Sequence, residues 1–270
     1  MKTADSLVAV EHVRQMRGGA QAHLMRASDS NFYVVKFANN PQHIRVLANE
    51  LFGTLIAQAL GLPVPEISPI EVPDSLITYS PDLHIEIGRT LTKCSSGLQL
   101  AIRYAADPSE DQVFDYLPES MMQKIRNRQD FCRILVFDKW TGNSDGRQAV
   151  FWKKPKERKY NVTFIDQGYC FNAGEWDFTD SPLRGVYARC AVYGDVVGWE
   201  SFEPTLSRVE QFDPASLWKL ADQIPEEWYE NDSQGLSRLI ETLQERRSSV
   251  RDLLTSFRAS PRNPFPNWKP

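Results

Sequence analysis

The sequence predicts an α+β fold with a small, mostly β N-lobe that contains one helix and a larger, mostly helical C-lobe. Two observations predict it. Short β-branched and aromatic runs lie in the first hundred residues, whereas helical periodicity dominates much of the remainder. The 270 residues fit one large domain or two small lobes, and 41% hydrophobic residues suffice for a core without disulfides or metals. We place the N-lobe at residues 1–100 and the C-lobe at residues 101–270, of which the proline-rich residues 259–270 are expected to be a flexible tail.

A hairpin is expected near the start of the N-lobe. The paired glycines Gly18 and Gly19 free the backbone for a tight turn, and a strand is predicted to begin near His23. Residues 31–37 form a β-branched and aromatic run that predicts a buried strand. Lys36 interrupts this apolar run, so it needs a separate explanation.

One helix is predicted to follow these strands. Asn40 and Pro41 suit an N-cap and a first helical position, and Gly61 and Pro63 would end the helix. The apolar residues between them recur at helical spacing: Ile44, Leu47, Leu51, Leu55 and Ala59. The prolines spaced through residues 64–73 then predict an extended edge segment rather than a central strand.

The C-lobe begins with helical periodicity and then returns to strands. Residues 112–127 and 129–140 are both predicted to be helices. Residues 149–152 and 162–165 are predicted to form a hairpin across a charged turn. Beyond residue 213 the chain is predicted to be helical, and its last helix carries one apolar stripe: Leu236, Leu239, Ile240, Leu243, Val250, Leu253, Leu254 and Phe257.

Composition argues against several classes of protein. Apolar runs stop far short of the ~20 residues that cross a bilayer, and no secretion signal opens the chain, so we expect a cytoplasmic protein without membrane contact. The net charge of −4 argues against a strongly basic surface, and direct nucleic-acid binding is not expected. The four scattered cysteines are expected to be reduced thiols: Cys94, Cys132, Cys170 and Cys190.

Lys36 is the first residue that indicates chemistry. A lysine in an apolar strand is costly to bury unless its charge meets a partner or a ligand. Glu50 follows fourteen residues later on the predicted helix, a separation at which a strand lysine can meet a glutamate of the next helix. Such a pair can hold ATP phosphates. The alternative is a strand-edge lysine whose ammonium reaches water and a glutamate on an exposed helix face.

Three further features fit phosphoryl transfer. The Gly18-Gly19 turn, one strand ahead of Lys36, could lay backbone N–H groups over phosphates, or could be an ordinary hairpin turn. Asp145 lies in a helix-to-strand connection, and Asp166 directly follows a predicted strand. In phosphoryl-transfer enzymes one such carboxylate orients the attacking hydroxyl and the other holds Mg²⁺. The alternative is that both aspartates cap turns.

Taken in order, these motifs resemble the HipA-like kinases. The resemblance covers about residues 12–175 and rests on five segments: Arg17-Gly18-Gly19-Ala20-Gln21-Ala22-His23-Leu24, Tyr33-Val34-Val35-Lys36-Phe37, Asn49-Glu50-Leu51 with Gly61-Leu62-Pro63-Val64-Pro65, residues 137–148, and Phe164-Ile165-Asp166-Gln167-Gly168. The resemblance implies a bilobal protein-kinase-like fold, related also to the phosphatidylinositol 3/4-kinases. It further implies ATP and Mg²⁺ in the cleft between the lobes, and usually serine or threonine hydroxyls as acceptors.

The resemblance assigns a role to each motif. Lys36 would contact the phosphates, Glu50 would pair with Lys36, and Asp166 would bind the metal. Asp145 would be the catalytic aspartate. The nucleotide would also meet the glycine turn, whose residues are Gly18, Gly19, Ala20 and Gln21.

One position departs from the family pattern. The family places a metal-binding asparagine five residues after the catalytic aspartate, where this chain has Val150. Gln148 is the nearest amide and is our candidate metal ligand. Alternatively, Asp138 and Asn143 match the D-x-x-x-x-N spacing of ordinary protein kinases. We rank Asp145 above Asp138 because the Gly142-to-Asp145 segment matches the HipA-like pattern, and a salt bridge to a neighbour would explain Asp138 inside a predicted helix.

We therefore expect an ATP-dependent phosphotransferase, in particular a serine/threonine kinase, that acts on an unidentified hydroxyl acceptor. A catalytically impaired nucleotide-binding scaffold is one alternative, which Val150 favours and which Lys36, Asp145 and Asp166 oppose. A small-molecule or lipid-headgroup kinase is the other, since related folds phosphorylate such acceptors. Fold analogy alone does not choose among the three.

Overall fold

The first part of the chain forms a five-stranded sheet. The structure, a computed structural model, describes residues 6–108 and 111–269. In spatial order the strands are β1 (Ala9–Gln15), β2 (His23–Ala27), β3 (Phe32–Lys36), β7 (Gly97–Arg103) and β4 (Ile67–Val72). All neighbouring pairs are antiparallel. A parallel bridge between Val8 and Glu71 joins the two edges of the sheet at one end.

The hairpin and the strands predicted in this part are confirmed. β1 and β2 pair across the glycine turn, and β2 begins at His23 as predicted. β3 carries Lys36 at its last position, and β4 is an edge strand, as its prolines predicted. β7 continues to Arg103, so the sheet extends past the lobe boundary that the sequence placed at residue 100.

Helix α1 (Arg45–Ala59) follows β3 and is buried on most of its circumference. It begins at Arg45 and not after Asn40, where the sequence predicted its cap. The Asn40 side chain closes a separate turn, donating to the carbonyl of Phe37 at 2.9 Å and accepting from the Gln42 N–H at 3.0 Å. The predicted end is confirmed, because Gly61 leaves the helix with a φ of +70°, which glycine adopts without strain.

Smaller elements complete the first part of the chain. They are the short helix α2 (Asp74–Tyr79) and a two-stranded hairpin made of β5 (His84–Ile87) and β6 (Thr90–Lys93). Their apolar side chains join those of the sheet in a small core that includes Val35, Phe37, Ile70, Ile77, Leu83 and Ile85. The hairpin lies beside the glycine turn, which matters for the site described below.

A second sheet of three strands lies after residue 110, in the order β10-β9-β8. Its strands are β8 (Gln112–Phe114), β9 (Gln148–Lys153) and β10 (Asn161–Ile165). The predicted hairpin is therefore confirmed as β9 and β10. Its register pairs Gln148 with Ile165, so the first residue of β9 lies beside the last residue of β10.

Helix α3 (Asp130–Thr141) confirms the helix predicted over residues 129–140. The helix predicted over residues 112–127 is wrong, because its start is strand β8 and Glu119–Lys124 is only a 3₁₀ helix. Pro118 precedes that short helix and lacks the N–H that a longer helix would use. The helical spacing came from side chains that reach the core along an irregular path: Leu117, Met122 and Ile125.

Helices form most of the chain after residue 204: α4 (Thr205–Glu210), α5 (Pro214–Ala221), α6 (Ser233–Arg246) and α7 (Val250–Arg258). The stripe predicted as one long helix is divided between α6 and α7 by a 3₁₀ turn at Arg247–Ser249. Within the residues of the structure, none of the helices has the length and apolar character needed to cross a membrane. All four cysteines are free thiols.

The tail, for which the sequence predicts flexibility, packs against the helices in the structure. Phe265 is 3% exposed and packs edge-on against Tyr193 and Phe257. Trp268 packs against Trp199, and the Lys269 N–H donates to the carbonyl of Val197 at 2.9 Å. The prolines of the tail end regular structure, but its aromatic side chains bury enough apolar surface to hold residues 259–269 against the helices.

Candidate active site

A cleft of about 1150 Å³ opens where the five-stranded sheet faces the three-stranded sheet. Its wall includes residues of the glycine turn, the end of β3, the loop between α3 and β9, and the end of β10. These places carry the motifs that the sequence singled out. Among the candidate residues, the lining includes Gly18, Gly19, Ala20, Gln21, Lys36, Asp145, Gln148 and Asp166.

Lys36 lies at the centre of the charged groups. Its Nζ donates to Glu50 Oε2 at 2.6 Å and to Asp166 Oδ1 at 2.9 Å. Burial alone would lower the pKa of Lys36, but the charges of Glu50 and Asp166 outweigh it and raise the pKa above that of an exposed lysine. Burial would also raise the pKa of Asp166, yet the Lys36 charge brings that pKa below its ordinary value. The predicted contact between Lys36 and Glu50 is therefore present, and Asp166 shares it.

Glu50 also holds the backbone that follows β10. Its two carboxylate oxygens accept from the N–H of Gln167 at 2.9 Å and of Gly168 at 3.0 Å. Burial raises the pKa of Glu50, but the N–H donors around its oxygens fit an ionised carboxylate, so we assign the pair with Lys36 as charged. Gly168 allows α1 to approach closely, because a Cβ there would lie 2.5 Å from Val46 Cγ1 and would displace that side chain.

Gln148 lies between the two cleft carboxylates. Its Nε2 donates to Asp166 Oδ2 at 2.9 Å and approaches Asp145 Oδ2 at 3.4 Å. The other oxygen of Asp145 accepts from the Gly146 N–H at 2.7 Å, and Asp145 is exposed to the cleft. The structure thus brings Gln148 together with Asp145 and Asp166, which with Lys36 are the residues that the sequence proposed for catalysis and metal binding.

Asp138 is in a different environment from Asp145. Its carboxylate is fully buried and forms an ion pair with Arg147 through two contacts, one of which joins Nε to Oδ2 at 2.9 Å. The Asn143 side chain donates to the same carboxylate at 2.9 Å. The salt bridge that the sequence suggested for Asp138 is therefore present. The Asp138 to Asn143 pair is used inside the protein and not in the cleft.

Arg147 is a site residue that the sequence reasoning missed. Its Nη1 donates to the carbonyl of Ile165 at 2.8 Å and to Gln167 Oε1 at 2.7 Å. One buried guanidinium thus ties α3 to the loop that follows β10. Burial would lower its pKa, but Asp138 raises the pKa above the ordinary arginine value. The available signal was Asp138 itself, since a carboxylate inside an apolar helix needs a cation nearby.

Val150, at the position of the family asparagine, lies in β9 and faces the cleft. Further apolar side chains from both sides line the cleft: Ala22, Val34, Pro65, Ile102 and Ile165. Val150 therefore belongs to an apolar surface and supplies no ligand for a metal ion. Of the residues in this sheet, Gln148 is the amide that approaches both carboxylates.

The glycine turn has free backbone donors and one occupied side chain. Gly18 has a φ of +127°, and the N–H of Gln21 donates back to Gly18 at 3.1 Å. Within the described residues, the N–H groups of Gly19 and Ala20 donate no hydrogen bond. The Gln21 side chain binds the backbone of Glu86 in both directions at 2.7 Å, so its amide anchors the turn to β5. The turn can therefore offer two N–H groups to an anion.

The carboxylates and the amide of this site fit a hard divalent cation better than a soft one. The described residues contain no cluster of three or more His, Cys, Asp or Glu side chains placed to bind a metal. Asp166 and Gln148, with Asp145 beside them, could therefore supply only part of a coordination sphere. Nucleotide phosphates and water commonly complete such a sphere.

Two tryptophans, Trp176 and Trp199, have structural contacts, whereas Arg184 reaches the cleft. Trp176 donates to Asn49 Oδ1 at 2.7 Å and lies 4.7 Å from the guanidinium of Arg45. Trp199 packs on the C-terminal tail. Arg184 lines the cleft, and its Nη1 donates to Asn172 at 2.9 Å. Sequence alone had assigned none of these three.

This combination of a mixed α and β fold with a lysine, a helix glutamate and paired loop carboxylates defines a kinase-type phosphotransferase. The family description of HipA-like kinases matches residues 9–258, and the chain belongs to that family. The resemblance inferred from the sequence is confirmed. No curated protein is significantly similar to the chain in sequence.

Solved structures of kinases share the fold. The Helicobacter pylori proinflammatory kinase CtkA is 14% identical over 92% of this chain and 96% of its own, with a TM-score of 0.55. The Golgi casein kinase is 12% identical over 94% of this chain and 74% of its own, with a TM-score of 0.54, and is also known with Mn/ADP bound. Shewanella oneidensis HipA, in complex with HipB and operator DNA, is 13% identical over 94% of this chain and 67% of its own, with a TM-score of 0.50.

Proposed function

We propose that the protein is an ATP-dependent kinase that transfers the γ-phosphate to a serine or threonine hydroxyl of another protein. The observation that carries the proposal is Lys36, which bonds to Glu50 and Asp166 at the wall of a cleft that Asp145 also lines. Membership in the HipA-like kinase family supports it. We infer that the five-stranded part and the remainder act as two lobes with the nucleotide between them, in the cytoplasm.

Nucleotide binding would use groups that the fold holds in place. Lys36 would contact the phosphates, and Glu50 would fix its position. The free N–H groups of Gly19 and Ala20 would bind phosphate oxygens, since a turn with consecutive N–H donors attracts anions. The adenine would lie among the apolar side chains that line the cleft, Val150 among them.

Asp166 and Gln148 would hold Mg²⁺, with the amide of Gln148 turned so that Oε1 faces the ion. The bound ion would neutralise charge on the transferring phosphate. Asp145 would orient the acceptor hydroxyl and accept its proton, because its carboxylate is exposed to the cleft, where it accepts from the Gly146 N–H and from the Gln148 side chain. Neither Asp138 nor Arg147 would touch the substrate.

Two other functions compete with this one. Val150 in place of the metal-binding asparagine favours a nucleotide-binding scaffold without transfer activity. A small-molecule or lipid-headgroup kinase would use the same cleft with another acceptor. The presence of Lys36, Asp145 and Asp166 in contact with one cleft favours transfer.

Labelled ATP with Mg²⁺, incubated with purified protein with and without cell lysate, tests the proposal. Asp145→Asn should retain Mg-ATP affinity while transfer falls by about 10²–10⁴-fold, the range for a general base. Asp166→Asn should lose both metal-dependent nucleotide binding and transfer. Asp222→Asn, an exposed position at the end of α5, is the matched control and should change neither.

The outcomes separate the candidate functions. Full transfer by Asp145→Asn would contradict its assignment as the base. Mg-ATP binding by the wild type without transfer to any protein would support the scaffold. Transfer to a lysate metabolite or lipid, with no labelled protein, would support the small-molecule kinase. Absence of nucleotide binding with ATP, ADP and GTP would contradict all three.

A further inference from the structure

A short segment, residues 181–187, has no helix or strand structure and runs beside the loop that carries Asp145. The Gly185 N–H donates to the carbonyl of Asp145 at 3.0 Å, and the Arg147 N–H donates to the carbonyl of Val186 at 3.2 Å. These two bonds attach the segment to both sides of Gly146. The segment also supplies Arg184 to the wall of the cleft, so its position shapes the space in front of Asp145.

One buried lysine of α3 binds the backbone of this segment. The Nζ of Lys139, on α3, donates to the carbonyls of Arg184 at 2.7 Å, Pro182 at 2.9 Å and Ser181 at 3.5 Å. Lys139 is 5% exposed. An ammonium has three N–H donors, so each can meet one carbonyl of the segment. A neutral amine has only two.

The other groups around Lys139 do not replace these bonds. Asp138 and Asp180 are the acidic residues that act on its charge. Both carboxylates have other partners, since Asp138 pairs with Arg147 and Asp180 pairs with Arg246. From α7, the Phe257 ring faces the ammonium at 5.3 Å. From α6, Arg246 donates to the carbonyl of Lys139 itself at 3.0 Å. The three carbonyls are thus the hydrogen-bond acceptors of Lys139.

We propose that Lys139 is a positioning residue that fixes residues 181–187 as the acceptor-binding wall of the cleft. This inference rests on the proposed function, because it takes Asp145 as the residue that meets the acceptor hydroxyl. Lys139 touches neither nucleotide nor acceptor. It acts through the backbone of Arg184, which places the Gly185 N–H on the Asp145 carbonyl.

The protonation of Lys139 supplies a readout that a purely structural role lacks. Burial lowers the pKa of Lys139 to about 8. Above that pH the amine leaves one carbonyl without a donor, so acceptor binding should weaken. The free energy of unfolding should rise over the same pH range in which acceptor binding weakens. Because the folded-state pKa lies below that of the unfolded chain, this group adds stability as pH rises from about 8 toward the ordinary lysine value and loses it as pH falls.

Lys139→Met keeps most of the side-chain length and removes the donors. With dephosphorylated casein as the acceptor probe, KM for casein should rise about tenfold or more, since small displacements near the reacting atoms are costly. KM for Mg-ATP should stay within about twofold, because the change leaves the nucleotide side of the cleft in place. Amide hydrogen exchange at Gly185 and Arg147 should become faster. Lys219→Met, on the exposed face of α5, is the matched control and should alter none of these quantities.

Several results would overturn the proposal. An unchanged exchange rate at Gly185 in Lys139→Met overturns it, and this measurement needs no acceptor. Equal increases in KM for casein and for Mg-ATP overturn it in favour of general destabilisation. In the wild type, KM for casein should rise between pH 8 and 9.5, and a flat profile there overturns it without any variant. Failure of the wild type to bind Mg-ATP is a separate result that overturns the proposed function.

Discussion

Two buried ion-pair networks meet the loop that follows β10. Lys36 bonds to Glu50 and Asp166 beside the cleft, whereas Arg147 bonds to Asp138 inside the protein. The side chains of Arg147 and Asp138 are 0% exposed, while that of Asp166 is 28% exposed. Both networks use the same chemistry, a cation held between carboxylates and backbone groups.

Access to the cleft separates their roles. Asp166 keeps one oxygen toward Gln148 and the cleft, so a ligand can compete for it or for Lys36. Arg147 is also among the residues that line the cleft, but its side chain is 0% exposed and bonds to Asp138, Ile165 and Gln167, so these bonds serve the position of the loop. A buried charged pair is thus weak support for function by itself, and its exposure to a cavity decides between the two readings.

The closed network, which Arg147 and Asp138 form inside the protein, should give the largest effect on stability. Arg147→Met leaves the Asp138 charge buried without its cation, and the free energy of unfolding should fall by about 3–5 kcal/mol in urea unfolding. Arg26→Met breaks an exposed pair with Glu11 and should cost less than about 1 kcal/mol. The double variant Arg147→Met with Asp138→Leu should recover part of the loss. A loss as small as that of Arg26→Met would show that the closed network is not structural.

The open network, which Lys36, Glu50 and Asp166 form beside the cleft, should be the one that responds to nucleotide binding. At a Mg-ATP concentration of about 100 Kd, binding to the folded state adds about 2.7 kcal/mol, which corresponds to a rise in Tm of about 5–10 °C. Differential scanning calorimetry measures it. Lys36→Ala should abolish the rise, because its ammonium is the cation that we propose to contact the phosphates. A normal rise in that variant would remove Lys36 from the nucleotide site.

Within the open network, Lys36 and Glu50 should act as one unit. Glu50→Ala frees Lys36 to move away from the phosphates, so the double variant should lose less Mg-ATP affinity than the two single losses combined, by about 0.5–3 kcal/mol. Titration calorimetry on the four proteins gives this coupling energy. Losses that simply add would show that Lys36 and Glu50 act separately, even if each matters.

The smallest effect is expected at the edge of the cleft. Gln21→Ala removes the two hydrogen bonds that anchor the glycine turn to Glu86. The turn should then lose more conformational entropy when it binds phosphate. Mg-ATP affinity should fall by about 1 kcal/mol, roughly fivefold. Asn267→Ala removes a side-chain bond to the carbonyl of Gly194, away from the cleft, and is the control. An equal loss in both variants would contradict a specific role for the anchor.

Local pattern was enough to predict the elements that hold the open network. The run around Lys36 predicted a strand, the apolar spacing around Glu50 predicted a helix, and their separation along the chain predicted the contact that the structure contains. Burial of Asp138 in a salt bridge was also inferred from its place inside a helix. These inferences depend on periodicity and on the cost of an unpaired charge, which a single sequence reveals.

Other features depend on contacts between distant segments. Nothing near Arg147 in the sequence indicates that its guanidinium will reach Ile165 and Gln167. Apolar residues between positions 112 and 127 recur at helical spacing, but residues 112–114 form strand β8 because they pair with β9. The tail carries prolines typical of a loose segment, and only the assembled aromatic cluster around Phe265 explains why it packs. In each case tertiary contacts override a local preference.

Through Glu50, the position of α1 determines the positions of Lys36 and of the loop after β10. The one carboxylate of Glu50 accepts from Lys36 and from the N–H groups of Gln167 and Gly168, so three bonds depend on the position of one helix. A displacement of α1 by the length of a single hydrogen bond would release Lys36 and the loop after β10 together. Under the proposed function, a molecule that shifts α1 would therefore change the rate of transfer without entering the cleft.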